Sequence, residues 1–265
     1  MEDVQSRLDS RDLPIDRVGV CDLRYPIIVM DRENRQQSTT ALLSMAVNLP
    51  REFKGTHMSR FIEVLNSHRG EITMRTLPTI LLELKDRLDA ESAHIEIQFP
   101  YFLERTAPVS GARAVMDYQC VFTGQMKGET SDFVLGVRVP VTSLCPCSKE
   151  ISDYGAHNQR GYVTIEVRSR PGEGAKPELV WIEELVECAE ASASAPLYPL
   201  LKREDERYVT MQAYDHPAFV EDVVRDVASR LQRDERINWF KVHALNQESI
   251  HNHNAFAQIE WSRQS

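Results

Sequence analysis

The sequence predicts an α+β fold in which antiparallel sheets are covered by helices on one face. Two observations lead there. The 265 residues divide into segments that alternate apolar and polar side chains, as strands do, and segments with a period near 3.6, as helices do. These segments also recur in one order, strand, strand, helix, helix, strand, strand, in each half of the chain. The repetition is architectural, with no convincing repeat of residues. Exposed sheet edges invite pairing with other subunits, so an oligomer is expected.

Residues 1–16 are polar and contain Pro14, and read as a flexible N-terminal arm. The first half spans 17–128. Val18–Met30 is rich in β-branched residues and reads as a strand. Ser38–Leu49 is its expected partner, although Ala and Leu there leave a helix open. Met58–Asn66 reads as a short helix, and Leu77–Leu88 as a longer one with apolar residues at 77, 80, 81, 84 and 88. His94–Leu103 and Arg113–Gln125 read as strands around a loop holding Pro108 and Gly111. The second half, 129–265, begins with Asp132–Val141 and Gly161–Arg168, both alternating as strands. Glu183–Ser194 and Phe219–Arg233 are amphipathic helix candidates, the second with Pro217 at its start, where a missing N–H costs nothing. Ile237–Leu245 and Ala255–Trp261 close the chain as strands.

Composition narrows the function. A formal net charge of −9 argues against nucleic-acid binding, which relies on Lys and Arg to neutralise phosphates. It leaves room for a small phosphorylated ligand in a locally basic pocket. No apolar run approaches the roughly 20 residues needed to cross a bilayer. The N-terminus lacks the basic-then-apolar order of a secretory signal, and five scattered cysteines form no disulfide framework. A cytoplasmic protein without membrane partners is expected.

The densest chemistry lies in Val139–Gly161, a connection between two strands that is longer and more polar than a hairpin needs. Cys145 and His157 stand twelve residues apart there and can converge on one ion, because Zn²⁺ accepts thiolate and imidazole together. Two other readings stay open at this point. A buried Cys is often a small apolar residue, and a Cys–His pair can also be a nucleophile with its base. The Cys-Pro-Cys spacing is too short for an ordinary zinc knuckle. Glu248-Ser249-Ile250-His251-Asn252-His253 offers two histidines at i and i+2, facing one pocket on a strand or solvent in a turn. Leu200–Tyr208 reads as a charged loop that can deliver one carboxylate. Glu221 stands one turn into a helix, where the dipole favours it without any function.

Together these segments resemble the type IB GTP cyclohydrolase family. The resemblance rests on Thr142–Arg160 with its Leu-Cys-Pro-Cys-Ser-Lys-Glu-Ile-Ser run. It rests also on Lys54–Phe61, Phe219–Asp222 and Glu248–His253, in the family's order from about Arg17. It implies the tunnelling fold with two tandem ββααββ modules, and a homotetramer with active sites at module interfaces. The implied reaction converts GTP and water to formate and 7,8-dihydroneopterin triphosphate, the entry to tetrahydrofolate and, in many bacteria, to deazapurine tRNA bases. One divalent metal per site, zinc, manganese or iron, is implied, held by Cys145 and His157 with Glu206 as third ligand or near neighbour. Glu221 would anchor guanine, and His251 would shuttle protons. Lys149, Arg160 and Lys202, with Lys54 and Arg60, are candidates for the triphosphate. The alternatives are a related pterin or deazaguanine enzyme with Cys145 as nucleophile, or a purine- or pterin-binding module without turnover.

Overall fold

The computed structural model describes residues 5, 7–68, 72–73, 75–170 and 178–263. The first half runs β1 (Ile15–Asp31), β2 (Arg35–Leu49), α1 (Met58–Ser67), α2 (Leu77–Leu88), β3 (Ser92–Thr106) and β4 (Arg113–Lys127). The second runs β5 (Thr130–Leu144), α3 (Pro146–Ile151), β6 (Asn158–Ser169), α4 (Ile182–Glu190) and β7 (Ala195–Pro196). It continues through α5 (Arg203–Asp215), α6 (Val220–Arg233), β8 (Ile237–Asn246) and β9 (Ala255–Ser262). The fold is α+β. Its strands pair in the order β1-β2-β3-β4-β5-β6-β8-β9, with β7 on β5.

The expected elements are present, Ser38–Leu49 among them as strand β2, the antiparallel partner of β1, while α3 and β7 are additional and two expectations differ. Leu200–Tyr208 is not a loop: from Arg203 it is the first half of α5. Helix α4 stops at Glu190, short of the expected Ser194, because Ser192 Oγ donates back to the Cys188 carbonyl and the chain turns. Of the arm expected over 1–16, residues 1–4 and 6 lie outside the described residues. Within its described part Leu8 bridges Phe53, and Asp9 N–H donates to the Glu52 carbonyl at 3.2 Å.

Among the described residues the chain forms two compact units. One comprises the residues up to Pro100 with Val121–Leu135, and the other Tyr101–Cys120 with the residues from Gly136 onward. In the first, α2 buries Leu77, Ile80, Leu81, Leu84 and Leu88, the stripe that its 3.6 period predicts. The helix lies close on β4: a Cβ at Gly124 would stand 2.3 Å from Leu77 Cδ2.

In the second unit α6 buries Val220, Val223, Val224, Val227, Ala228 and Leu231, and packs on β8 and β9. The inward positions of the strands are buried as well, such as Val163, Ile165 and Val167 of β6 and Phe240, Val242 and Ala244 of β8. Each inward series ends in a polar residue at the end of the strand nearest the long connection. These are Ser143 on β5, Gln159 on β6 and Asn246 on β8, all buried. Asn246 Nδ2 donates to Ser143 Oγ at 3.0 Å, and Ser143 Oγ donates to the Ala218 carbonyl at 3.3 Å. Gly161 pairs with Asn246 in the β6–β8 register. A Cβ there would come within 2.8 Å of Asn246 Oδ1, so the residue leaves the room that this side chain occupies.

Candidate active site

The β5–β6 connection is folded rather than open. Cys145 has extended backbone (φ −72°, ψ 118°) and precedes α3, whose first residue is Pro146. The short helix then returns the chain so that Cys145 N–H donates to the His157 carbonyl at 3.1 Å. Ser148 locks the return twice: its Oγ donates to the Cys145 carbonyl at 3.2 Å and accepts from His157 N–H at 3.1 Å. The eleven residues between Cys145 and His157 thus form a closed loop with both residues at its mouth. Below them, Leu144 N–H donates to Ser194 Oγ at 3.0 Å, and Ala218 N–H donates to the Leu144 carbonyl at 3.1 Å. The position of Cys145 is therefore tied to the turn after α4 and the start of α6.

Both side chains are half-buried, so they reach solvent without being loose in it. All five cysteines are free thiols, and Cys147, unlike Cys145, is exposed. His157 Nδ1 lies 2.9 Å from Gln159 Oε1 and 3.3 Å from Ser249 Oγ. Gln159 Nε2 in turn donates to Glu248 Oε1 at 3.4 Å. Engaged at Nδ1, the ring keeps Nε2 for a further partner. A thiol and an imidazole nitrogen held at one loop mouth suit a soft or borderline divalent ion, and in that respect the residues fit a metal. No three His, Cys, Asp or Glu side chains are gathered as a metal site among the described residues. The structure joins the backbones of two of the three sequence-expected donors, Cys145 and His157, and leaves Glu206 on α5.

The acidic trio on α5 divides. Asp205 is fully buried and already satisfied, accepting from Val109 N–H at 2.9 Å, Ser110 N–H at 2.8 Å, Ser110 Oγ at 2.6 Å and Lys202 N–H at 2.9 Å. Burial would raise its pKa, but these hydrogen bonds from Ser110, Lys202 and Val109 outweigh it and hold the carboxyl well below the usual range. Glu206 is exposed on the first turn of the same helix. Glu204 lines a cleft of about 350 Å³ along α5, with Val109, Tyr208, Met211 and His216.

The remaining expected residues are more dispersed. His251 and His253 are exposed between β8 and β9, their rings stacked with centroids 5.1 Å apart. Glu221 is exposed in the first turn of α6. The Lys149 ammonium donates to the Tyr214 carbonyl at 2.5 Å and lies over that ring, while Arg160 and Lys202 are exposed. Sequence reasoning passed over Gln159 and Ser249 as partners of His157, and Glu248 as the partner of Gln159. For Gln159 a signal existed: positions 159, 161, 163, 165 and 167 form the inward series of β6, and a Gln heading that series is out of place unless it is bonded.

A sequence model of the type I GTP cyclohydrolase folE2 family matches residues 1–257. The chain is 56% identical over 263 residues to GTP cyclohydrolase FolE2 of Pelobacter propionicus, covering 99% of each chain. It is 56% identical to the FolE2 of Magnetococcus marinus over 265 residues, covering 100% of this chain and 97% of that one. Among solved structures, the uricase from Arthrobacter globiformis matches with a TM-score of 0.55 at 10% identity, covering 94% of each chain. Urate oxidase from Bacillus subtilis 168 matches with a TM-score of 0.54 at 9% identity over 93% of this chain and 98% of that one. At such identities these structures share the fold alone. The full-length match of sequence and family model shows that the chain belongs to the type I GTP cyclohydrolase FolE2 family.

Proposed function

We propose that this protein hydrolyses GTP at C8 of the purine, releasing formate and forming 7,8-dihydroneopterin triphosphate, the first step toward tetrahydrofolate. The observation that carries the reading is the 56% identity over 99% of both chains to a protein named GTP cyclohydrolase FolE2. The paired Cys145 and His157 supply chemistry that suits it. In this reading a single divalent ion, zinc, manganese or iron, is held by Cys145 and His157, with Glu206 as the third donor. When bound, such an ion supplies Lewis acidity, which makes water nucleophilic at neutral pH.

The protein's own groups do the rest. Glu221 accepts hydrogen bonds from the guanine N1–H and 2-amino group; adenine, lacking both, would leave the carboxylate unpaired. His251 carries protons to the departing ring nitrogen, a task that suits an imidazole near neutral pH. Arg160 and Lys202, both exposed, and Lys149 from its seat on Tyr214 take the triphosphate.

We read the fold as a tunnelling fold of two ββααββ modules, assembled as a cytoplasmic homotetramer with its sites at module interfaces. The order of elements in the first half and the likeness to uricases support the fold. The test is to strip the protein of metal, restore Zn²⁺, Mn²⁺ or Fe²⁺ separately, and follow GTP turnover by pterin fluorescence after oxidation. Restored turnover is expected. Folded protein that binds GTP yet makes no pterin with any metal would overturn the reading.

A further inference from the structure

We propose that Gln159 is a positioning residue that holds His157 in the tautomer protonated at Nδ1, and that Glu248 sets the direction of the Gln159 amide. The inference rests on the reading of His157 as a metal ligand, and extends it by one shell.

The argument is one of donors and acceptors. Gln159 is 8% exposed and heads the inward series of β6, so its amide is largely cut off from water. Gln159 follows His157 by two residues at the start of β6, and its amide lies within hydrogen-bond distance of His157 Nδ1. An ionised carboxylate only accepts hydrogen bonds. With Glu248 Oε1 3.4 Å from one end of the amide, that end must be the NH₂. The other end, 2.9 Å from His157 Nδ1, is then the carbonyl oxygen, which also only accepts. The proton of this contact therefore sits on Nδ1. A neutral imidazole has one such proton, so Nε2 keeps its lone pair, the form in which histidine ligates. Ser249 Oγ, farther away at 3.3 Å, can accept a second, weaker branch of the same N–H.

Strand pairing builds the chain of contacts. Gly161 pairs with Asn246, and Gln247 N–H donates to the Arg160 carbonyl at 2.9 Å, prolonging the β6–β8 ladder by one step. Glu248 follows directly. The paired ends of β6 and β8, with the closed β5–β6 loop that holds His157, thus bring a carboxylate, an amide and an imidazole into line. Partners of this kind fix the orientation and tautomer of a ligand, and their loss typically weakens metal binding by about 10–100-fold.

The test uses the full-length protein. Zinc affinity is measured by competition with a chromophoric chelator for wild type, His157→Ala, Gln159→Leu and the double variant Gln159→Glu with Glu248→Gln. Two-bond ¹⁵N–¹H spectra of the zinc-free wild type and Gln159→Leu report the histidine tautomers, with His157→Ala identifying the signal. Gln159→Leu is expected to bind zinc about 10–100-fold more weakly. The double variant is expected to return to within a few-fold of wild type, because it reverses amide and carboxylate while keeping an acceptor at Nδ1. The His157 signal of wild type is expected as the Nδ1–H form, and that of Gln159→Leu as a mixture. Wild-type affinity in Gln159→Leu beside a weakened His157→Ala would overturn the inference and leave the ligand reading intact; so would an Nε2–H signal in wild type. Unchanged affinity in His157→Ala would instead refute the ligand reading, and this inference with it. Should Gln159→Leu fail to fold by circular dichroism, the double variant and the wild-type spectrum decide.

Discussion

The two compact units differ in what they bury. Among the described residues the first contains two buried polar side chains, Asp31 and Thr73, and the second contains Ser143, Gln159, Glu183, Ser192, Ser194, Asp205 and Asn246. In the first unit both serve local turns. Asp31 Oδ1 accepts from Glu33 and Asn34 N–H in the β1–β2 turn, and Thr73 bonds with Thr76 ahead of α2. In the second, Ser143, Gln159, Ser194 and Asn246 surround the mouth of the loop carrying Cys145 and His157. A buried polar group left unpaired costs about 1–3 kcal/mol, whereas an apolar one there would be neutral or better. Polar burial is therefore concentrated where the placement of a neighbour matters more than added stability. We read the first unit as scaffold, and the second as accepting energetic risk to aim its side chains.

This contrast can be broken experimentally. The largest effect is expected for Cys145→Ala, which should abolish GTP turnover in the pterin assay while leaving the melting temperature near wild type. Next, His251→Gln should lower kcat by about 10²–10⁴-fold, since it removes a proton carrier without altering packing. Its exposed side chain makes unchanged stability part of the expectation. Leu84→Ala in α2 should do the reverse, costing about 2–5 kcal/mol in urea denaturation while activity per folded molecule persists. A proportionate loss of specific activity in Leu84→Ala would contradict the division into scaffold and site.

The smallest effect is one of pH. The Asp205 carboxyl has a folded pKa held below the usual 3.8. Its contribution to stability is thus fully present above that value and is lost as pH falls from there toward the lower folded pKa. Denaturation midpoints of wild type and Asp205→Asn should differ most at neutral pH and draw together below about pH 4. A gap that stays constant down to pH 3 would show that the ionised form is not what the four hydrogen bonds favour.

The elements legible in the sequence are those whose burial follows a simple period. Helix α2 matched its expected bounds because its five inward residues are all Ile or Leu. Helix α5 was missed for the opposite reason: it buries only Asp205 and Ala213, so no apolar stripe marks it. Helix α3 is six residues behind Cys-Pro, too short for a period to show. At the site, the residue types at 145 and 157 were legible, and so was the unusual length of their connection. What places them was not. Ser148, Gln159, Ser194 and Asn246 are ordinary polar residues whose meaning comes from strand register and from a glycine at 161. Among Glu204, Asp205 and Glu206 the sequence offered no choice, and the structure removes Asp205 by showing it already satisfied.

The closed mouth of the β5–β6 loop has a consequence for hydrogen exchange. Cys145 N–H ends on the His157 carbonyl, His157 N–H on Ser148 Oγ of α3 and Gln247 N–H on the Arg160 carbonyl, so releasing them requires the loop to open or the strand ends to part. Their amides should fall in the slowly exchanging class with the strands, while those around the fully exposed Tyr154 exchange quickly. The backbone pairing at the loop mouth is then as durable as the contacts of Ser148 and of the ends of β5, β6 and β8 that hold it.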